Sequence, residues 1–266
     1  MWFYKNDKTS PVLTSTEQAK SEHGEKIYLL PQTAILLYMS GLDYIKEKYD
    51  VQLITNHFPR FLNACPIYKI KGQNDICFLD GGRGAPMAAD TIEVLKVMGV
   101  KNIISVGLIG GFVENINIGD IVIPNKAYVE EGTSLHYYET IEHSTPNLML
   151  FNKIIEYIPK HIVAPIISTD AIYRQTFYKE ALWRKKGCVG VDMETSALMS
   201  IGKYLDLQVV SILMVSDKHP ISKENETWEW KMTKDLRKQL LYQVIELHYH
   251  YKFLLMINFA PYINKK

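Results

Sequence analysis

The chain contains, at residues 209–215, the near-continuous apolar run Val209-Val210-Ser211-Ile212-Leu213-Met214-Val215. A strand with one solvated face alternates apolar and polar residues, so this run predicts a strand that is covered on both faces. Similar short apolar runs alternate with helical patterns along the chain. This alternation predicts one α/β domain, in which helices flank both faces of a mixed central β-sheet.

The same patterns assign the other elements. Strands are predicted at residues 27–30, 67–71, 76–79, 103–106, 121–129 and 162–167. Helices are predicted at residues 87–98, 148–158, 194–205 and 228 to about 255. A turn formed by Gly72-Gln73-Asn74-Asp75 predicts a hairpin between two of the strands. Residues 1–26 are polar and are interpreted as a loose arm, which leaves residues 27–266 as a single domain.

Composition restricts the class of protein. The 266 residues carry a formal net charge of +1 and are 47% apolar, which is typical of a globular protein and lacks the basic footprint of nucleic-acid binding. Three widely spaced cysteines argue against a disulfide framework or a zinc site. No apolar stretch suggests a signal peptide or a membrane span. We therefore expect a cytoplasmic protein that binds a small molecule, without a membrane or nucleic-acid partner.

One candidate site is the segment Val191-Asp192-Met193-Glu194-Thr195-Ser196-Ala197, which lies at a predicted strand-to-helix junction. Open α/β sheets bind ligands at the carboxyl ends of their strands, so Glu194 is a candidate ligand-binding carboxylate. A carboxylate at a helix N-terminus is also stabilised by the helix dipole. Helix capping is therefore an alternative role for this segment.

A second candidate is Asp217, which directly follows the apolar run at 209–215. A carboxyl at the end of a buried strand is poorly solvated, and this raises its pKa and favours protonation near neutral pH. Asp217 is then a candidate general acid. The alternative is an aspartate that stabilises a turn.

Together the two segments resemble the purine nucleoside and uridine phosphorylase family, which also includes nucleosidases. Met193 and Glu194 match its V-x-M-E-[TAS]-[AS] motif, whose Met-Glu pair binds the ribose hydroxyls. Ser216 and Asp217 match the Ser-Asp pair of the purine-acting branch, in which the aspartate protonates the purine at N7. The resemblance covers residues 76–219 approximately and implies a nucleoside phosphorylase-like fold.

Four further stretches resemble motifs of this family, in the family's order. They are residues 82–86 (G-x-G-x-P), 106–111 with 118–122 (V-G-x-x-G-G and G-D-I-V), 131–137 (a loop typical of the uridine-acting branch) and 168–173 (S-x-D-x-I-Y). The resemblance implies that Glu194 and Asp217 are catalytic. It implies that the substrate-binding residues are Leu108, Gly110, Ile172, Tyr173, Val191, Asp192, Met193 and Ser216.

The chain departs from the family at the phosphate-binding positions. Its predicted first strand lacks the arginine of the G-D-P-x-R motif, Ser105 stands where a second arginine is expected, and Leu108 replaces a hydroxyl residue. A buried phosphate without arginines would lack charge-assisted partners. Arg60, Arg83 and Gly84 are the remaining candidates for an anion site, and Arg60 resembles the arginine that family members extend across a subunit interface.

The predicted activity is cleavage of the N-glycosidic bond of a nucleoside, with a purine base preferred because of Asp217. Phosphate is the preferred acceptor because it serves most relatives of this type. Hydrolysis by a nucleosidase and non-catalytic binding or storage of a nucleoside are the alternatives. The resemblance implies a homo-oligomer (a dimer, a trimer of dimers or a hexamer), and no metal or organic cofactor is expected, although inorganic phosphate is a possible co-substrate.

Several other residues are weaker candidates. His136 and His219 lie in or beside the motifs without an assigned role, and Lys231 is positioned in sequence to support Asp217. Tyr137 and Tyr138 offer rings for base stacking. We predict that the segment of Trp228, Trp230 and Met232 anchors the closing helix and does not line a binding site.

Overall fold

The structure is a computed structural model that describes residues 2–21, 29–61, 63–222, 224 and 227–250, with side chains to residue 247. Its helices are α1 (Ser15–Lys20), α2 (Leu42–Lys48), α3 (Ala85–Val97), α4 (Leu148–Tyr157), α5 (Phe177–Lys185), α6 (Thr195–Tyr204) and α7 (Lys234–His250). Its strands are β1 (Thr33–Leu37), β2 (Val51–Phe58), β3 (Cys65–Ile70), β4 (Ile76–Asp80), β5 (Asn102–Gly111), β6 (Ile121–Glu130), β7 (His143–Ser144), β8 (His161–Thr169), β9 (Gly190–Asp192), β10 (Gln208–Lys218) and β11 (Glu229–Trp230).

Five of the strands close into a ring. Strand β5 pairs with β9, β9 with β8, β8 with β6, β6 with β10, and β10 again with β5. Strands β1, β4, β3 and β2 extend the sheet outward from β5. Parallel and antiparallel pairs both occur, which confirms the predicted mixed sheet.

The apolar run at 209–215 forms the centre of β10 and is covered on both faces, as predicted. Val209, Leu213 and Val215 belong to one apolar cluster. Val210 and Met214 belong to another. Because side chains alternate along a strand, the two clusters lie on opposite faces of the sheet.

Helices cover both of these faces. The first cluster includes side chains of α1, α3 and α6, and the second includes side chains of α2, α4 and α7. The predicted α/β class with flanking helices is therefore confirmed. In the described part of the chain, no helix has the combination of length and apolar character needed to cross a bilayer.

Three predicted elements need correction. The first strand lies at Thr33–Leu37 and not at residues 27–30, of which 27 and 28 lie outside the described residues. The closing helix begins at Lys234, and the predicted helical start at Trp228 is wrong because Glu229 and Trp230 pair with β10. Part of the N-terminal arm forms α1, which buries Gln18 and Ala19, so this part is not loose.

Local sequence accounts for these boundaries. Thr233 Oγ1 accepts a hydrogen bond from the amide of Leu236, as an N-cap residue does, so α7 begins after it. Thr14 and Glu17 form a capping box that begins α1. The predicted hairpin of β3 and β4 is confirmed. No element was predicted for α2, β2 or α5, and the strand predicted before Glu194, which is β9, had no predicted bounds.

Candidate active site

Gly110 brings the two predicted acidic segments together. It is paired in register with Asp217 of β10 on one side and with Val191 of β9 on the other. Neighbouring strands lie roughly 4.8 Å apart, so the two partners of Gly110 are separated by only about two strand spacings. Residues that are 26 positions apart in the sequence therefore meet at one place in the sheet.

A β-bulge directs the end of β10 towards this place. The register between β10 and β5 shifts between Val215 and Asp217, which leaves Ser216 as the extra residue. Consecutive side chains of a regular strand point to opposite faces, but Ser216 and Asp217 line the same cavity. The bulge explains why both residues of the Ser-Asp pair are available to one ligand.

The cavity has a volume of about 1030 Å³, close to the upper end of the roughly 300–1,000 Å³ typical of small-molecule sites. Most of the predicted site residues line it. They are Arg83, Leu108, Gly110, Ile172, Tyr173, Val191, Asp192, Met193, Glu194, Ser216 and Asp217.

The two carboxylates of the first acidic segment have different roles. Asp192 accepts hydrogen bonds from the amide and the hydroxyl of Thr195 and from the hydroxyl of Ser168. Its carboxylate therefore stabilises the start of α6. Glu194 occupies the N-cap position of α6 but makes no side-chain capping bond. Asp192 therefore performs the capping that was considered as the alternative role for this segment. Glu194 lines the cavity instead.

Glu194 is held by the glycine-rich turn that precedes α3. The amide of Gly84 donates a hydrogen bond of 2.7 Å to Glu194 Oε1, and Gly84 has φ 83°, a conformation that favours glycine. Burial, followed by the neighbouring charge of Asp192, raises the pKa of Glu194 above its usual range. The bond from Gly84 and the charge of Arg83 oppose this rise without cancelling it.

Asp217 is in a different environment, because three donors surround its carboxylate. Ser216 Oγ donates to Oδ1 at 2.5 Å, Trp228 Nε1 donates to Oδ2 at 2.8 Å, and His219 Nε2 lies 3.2 Å from Oδ2. Burial alone would raise the pKa of Asp217, but these hydrogen bonds and the charge of His219 outweigh it and lower the pKa. The predicted upward shift is wrong, because the sequence did not reveal the donors.

His219 is the charged counterpart of Asp217. Its Nδ1 lies 2.7 Å from Glu180 Oε1, and its Nε2 faces Asp217. Burial would lower the pKa of His219, but the hydrogen bonds and charges of the two carboxylates outweigh burial and raise the pKa to about 9. At neutral pH the site therefore holds an imidazolium beside an ionised Asp217.

The residues at the expected anion-binding positions differ in whether they line the cavity. Arg60 is buried away from the cavity, where its guanidinium donates to backbone oxygens of Asn63 and Asp80. Ser105 is also buried and is hydrogen-bonded to Ser211 of β10. Arg83 is the only arginine or lysine among the described residues that line the cavity.

The remaining candidates lie outside the cavity, apart from His219. His136 stacks on Trp2, while the hydroxyls of Tyr137 and Tyr138 bond to Glu93 and to the Ser200 carbonyl. The side chain of Lys231 pairs with Glu229 and does not contact Asp217. These contacts give His136, Tyr137 and Tyr138 structural partners.

Sequence reasoning missed part of the cavity wall. Trp228 and Trp230 line the cavity, so their prediction as helix anchors is wrong, while Met232 is buried in the core as predicted. Other lining residues lie outside the family motifs and were not predicted. They are Tyr38, Gln175, Thr176, Phe177, Glu180 and Pro220. The segment that carries four of them begins just after the 168–173 motif, which is the only sequence signal that could have pointed to it.

Comparisons with known proteins identify the family of this chain. A family model described as the phosphorylase superfamily matches residues 43–246. Purine nucleoside phosphorylase DeoD-type 1 from Shewanella oneidensis is 27% identical over 225 residues, which is 82% of this chain and 87% of that protein. Purine nucleoside phosphorylase DeoD-type from Exiguobacterium sibiricum is 27% identical over 174 residues, which is 62% of this chain and 74% of that protein.

Solved structures show the same fold. AMP nucleosidase from Bacteroides thetaiotaomicron aligns with a TM-score of 0.69 at 20% identity, covering 87% of this chain and 92% of that one. Uridine phosphorylase from Vibrio fischeri aligns with a TM-score of 0.61 at 23% identity, covering 74% and 81%. Since the family model matches most of the sequence, the chain belongs to the phosphorylase superfamily.

Proposed function

We propose that the protein cleaves the N-glycosidic bond of a purine nucleoside. The observation that carries the proposal is that Glu194 and Asp217, which belong to distant segments, line one cavity. Gly110 joins the two segments, because it pairs with Val191 on one side and with Asp217 on the other. An ionised Glu194 can accept hydrogen bonds from the sugar hydroxyls and stabilise the positive charge that develops on the sugar. Asp217 is then close to the base.

Aromatic side chains support a planar base as the part of the ligand that lies near Asp217. Tyr173, Phe177, Trp228 and Trp230 all line the cavity, and aromatic rings pack well against a planar heterocycle. A purine leaves more easily when one of its ring nitrogens is protonated, and general-acid catalysis of this kind contributes about 10²–10⁴-fold. Asp217, with the imidazolium of His219 beside it, is the group through which this proton passes.

The lining of the cavity supports water as the acceptor. Phosphate carries two charges near neutral pH, and a buried phosphate requires several charge-assisted donors. Arg83 is the single arginine among the described lining residues, and Leu108 offers no hydroxyl. Phosphorolysis, which the sequence favoured, is the second candidate, since the curated relatives are named as phosphorylases and Arg83 lines the cavity.

The test is incubation of the protein with inosine, adenosine and uridine, each with and without inorganic phosphate. Hydrolysis predicts release of the purine base and free ribose at a rate that phosphate does not change. Phosphorolysis predicts ribose 1-phosphate and no reaction without phosphate. In that case an Arg83→Ala variant should raise the KM for phosphate, with Arg174→Ala, at an exposed arginine that does not itself line the cavity, as the control.

The same experiment addresses non-catalytic binding. A binding or storage protein predicts that calorimetry detects nucleoside binding while no base is released under either condition. That result would contradict the proposed cleavage. Release of uracil at a rate equal to that of the purine bases would contradict the purine preference.

A further inference from the structure

A chain of four side chains connects α5 to the base side of the cavity. Arg184 Nη1 lies 3.6 Å from Glu180 Oε2, Glu180 Oε1 lies 2.7 Å from His219 Nδ1, and His219 Nε2 lies 3.2 Å from Asp217 Oδ2. Glu180 and His219 line the same cavity as Asp217. No motif of the resemblance includes Glu180, and none assigns a role to His219.

The two carboxylate neighbours of His219 favour the doubly protonated, positively charged form of its imidazole ring. A neutral imidazole has one N–H and can donate to only one carboxylate, whereas an imidazolium donates to both. The charged groups that face His219 are Glu180 from α5 and Asp217 from β10, and both are carboxylates. Arg184 neutralises part of the charge of Glu180, which is 5% exposed. The network therefore holds an excess proton on the imidazole ring.

The strand beneath the ring leaves space for this arrangement. A Cβ atom at Gly110 would lie 2.6 Å from His219 Nε2 and 3.2 Å from Asp217 Oδ2. Any side chain at this position would push the imidazole away from the carboxylate. The glycine at residue 110 thus permits the contact between His219 and Asp217.

Asp217 itself does not store a proton in this arrangement. Both of its oxygens accept hydrogen bonds, from Ser216 on Oδ1 and from Trp228 and His219 on Oδ2. Three donors around a carboxylate favour its ionised form. A general acid that is ionised before the reaction must obtain its proton from a neighbour, and His219 is the neighbour that carries one.

We propose that His219, held in place by Glu180, supplies Asp217 with the proton that the leaving base takes. This inference rests on the proposed glycosidic cleavage. The N–H bond at Nε2 breaks and its proton passes to Asp217, while Asp217 gives one proton to a base nitrogen and the electrons of the N-glycosidic bond stay with the base. The acceptor, water or hydrogen phosphate, releases one proton as it adds to the sugar carbon, and this proton restores the imidazolium. Glu180 and His219 are thus positioning residues that act through Asp217.

The test compares a purine nucleoside with its N7-methyl derivative, whose base already carries the positive charge and leaves without a proton. The variants are His219→Gln, which keeps an N–H donor but cannot titrate, and Glu180→Gln. For His219→Gln we expect the ratio of kcat for inosine to kcat for 7-methylinosine to fall about 10²-fold. For Glu180→Gln we expect the alkaline limb of the inosine profile to move to lower pH, because the imidazolium loses a charged partner.

Matched controls separate these effects from general damage. His57→Gln and Glu156→Gln make the same substitutions at exposed positions, and neither should change the ratio or the pH limb. A His219→Gln enzyme with the wild-type ratio, or a Glu180→Gln enzyme with the wild-type limb, would overturn the inference while leaving the proposed cleavage intact. A wild-type enzyme that cleaves no nucleoside would overturn both.

A second measurement needs no turnover. In a ¹⁵N-histidine NMR titration of the unliganded protein, the signal that is missing from His219→Gln should titrate near pH 9. In Glu180→Gln the same signal should titrate at a lower pH. A His219 signal that titrates at or below the ordinary value for histidine would overturn the inference whatever the activity.

Discussion

The two sides of the cavity both bury a carboxylate, yet they impose opposite charge states on it. On the side that we propose binds the sugar, Glu194 has two backbone donors, Gly84 and Met193, and a second carboxylate, Asp192, as its neighbour, so its pKa is raised. On the base side, Asp217 has three donors and a positively charged neighbour, so its pKa is lowered.

The difference teaches that burial alone does not decide the ionisation of a carboxyl group. Desolvation raises the pKa of both residues, and the count of donors and the sign of the nearest charge determine which effect is larger. A bound sugar would supply hydroxyl donors to Glu194, whereas Asp217 already has its donors. We therefore expect the sugar side to change its protonation on binding and the base side to change it during the reaction.

The largest expected effect comes from Asp217→Asn, which removes the group through which the proton reaches the base. We expect kcat for purine nucleosides to fall about 10²–10⁴-fold. Release of the base is followed by absorbance, and an unchanged melting temperature shows that the fold is retained. Asp206→Asn, at an exposed turn, is the matched control. Wild-type turnover by Asp217→Asn would remove this residue from the mechanism.

The next effect comes from Glu194→Gln, which keeps the shape of the side chain but removes its charge. We expect kcat/KM to fall about 10²-fold because the ionised carboxylate no longer opposes the positive charge on the sugar. The rates of base release by the wild type and the variant measure this loss. Equal rates would show that the charge of Glu194 does not contribute to catalysis.

The same substitution has an effect on stability with a definite sign. Because the pKa of Glu194 in the folded protein is raised above its ordinary 4.5, the folded state holds the proton more tightly than the unfolded state. The free energy of unfolding of the wild type should therefore fall as pH rises above 4.5, until the raised pKa is passed. Glu194→Gln should lack this part of the decline in thermal melts, and Glu156→Gln should keep it. Parallel curves for the wild type and Glu194→Gln would contradict the raised pKa.

A smaller effect is expected for Gly110→Ala, in which the new methyl group collides with His219 Nε2. Overpacking of this kind costs about 1–3 kcal/mol of stability. Separation of His219 from Asp217 should lower kcat by about tenfold, corresponding to ~1.4 kcal/mol in the barrier. Gly107→Ala in the same strand meets Leu213 and Tyr38 instead, and it should lose stability without a change in the pH profile.

The smallest effect is expected for Trp228→Phe, which removes one of the three donors to Asp217. The pKa of Asp217 should rise, so its carboxyl signal in a ¹³C-aspartate NMR titration should move to higher pH, while kcat falls only a few-fold. Trp230→Phe changes the neighbouring ring and is the control. An unchanged titration of the Asp217 carboxyl in Trp228→Phe would show that this hydrogen bond does not affect the ionisation of Asp217.

Much of the fold and of the cavity was predictable from sequence. The run at 209–215 predicted a strand covered on both faces, because only burial on two sides explains such continuous apolar character. Eleven of the lining residues were singled out from the sequence, ten through the family resemblance and Arg83 as a candidate for an anion site. The strand and these positions were predictable because short-range patterns and motif order are properties of the sequence itself.

The charge states were not predictable, because they depend on residues that are distant in sequence. Glu180 lies on a helix that was not predicted, and Trp228 was placed in the closing helix, whereas it lies outside any helix and directly precedes β11. Neither residue has a local pattern that indicates contact with His219 or Asp217. The pKa of Asp217 was therefore predicted in the wrong direction, since burial was visible in the sequence and the donors were not.

The closed ring of strands has a consequence for how this protein opens. Strands β5 and β10, which carry Gly110 and Asp217, are each paired on both sides. Among the described strands, β2 pairs with β3 alone. Partial opening begins where few contacts hold the backbone, so amide hydrogens of β2 should exchange by local fraying and those of central β10 only with global unfolding. The reactive geometry should therefore be lost in the same cooperative step as the fold itself.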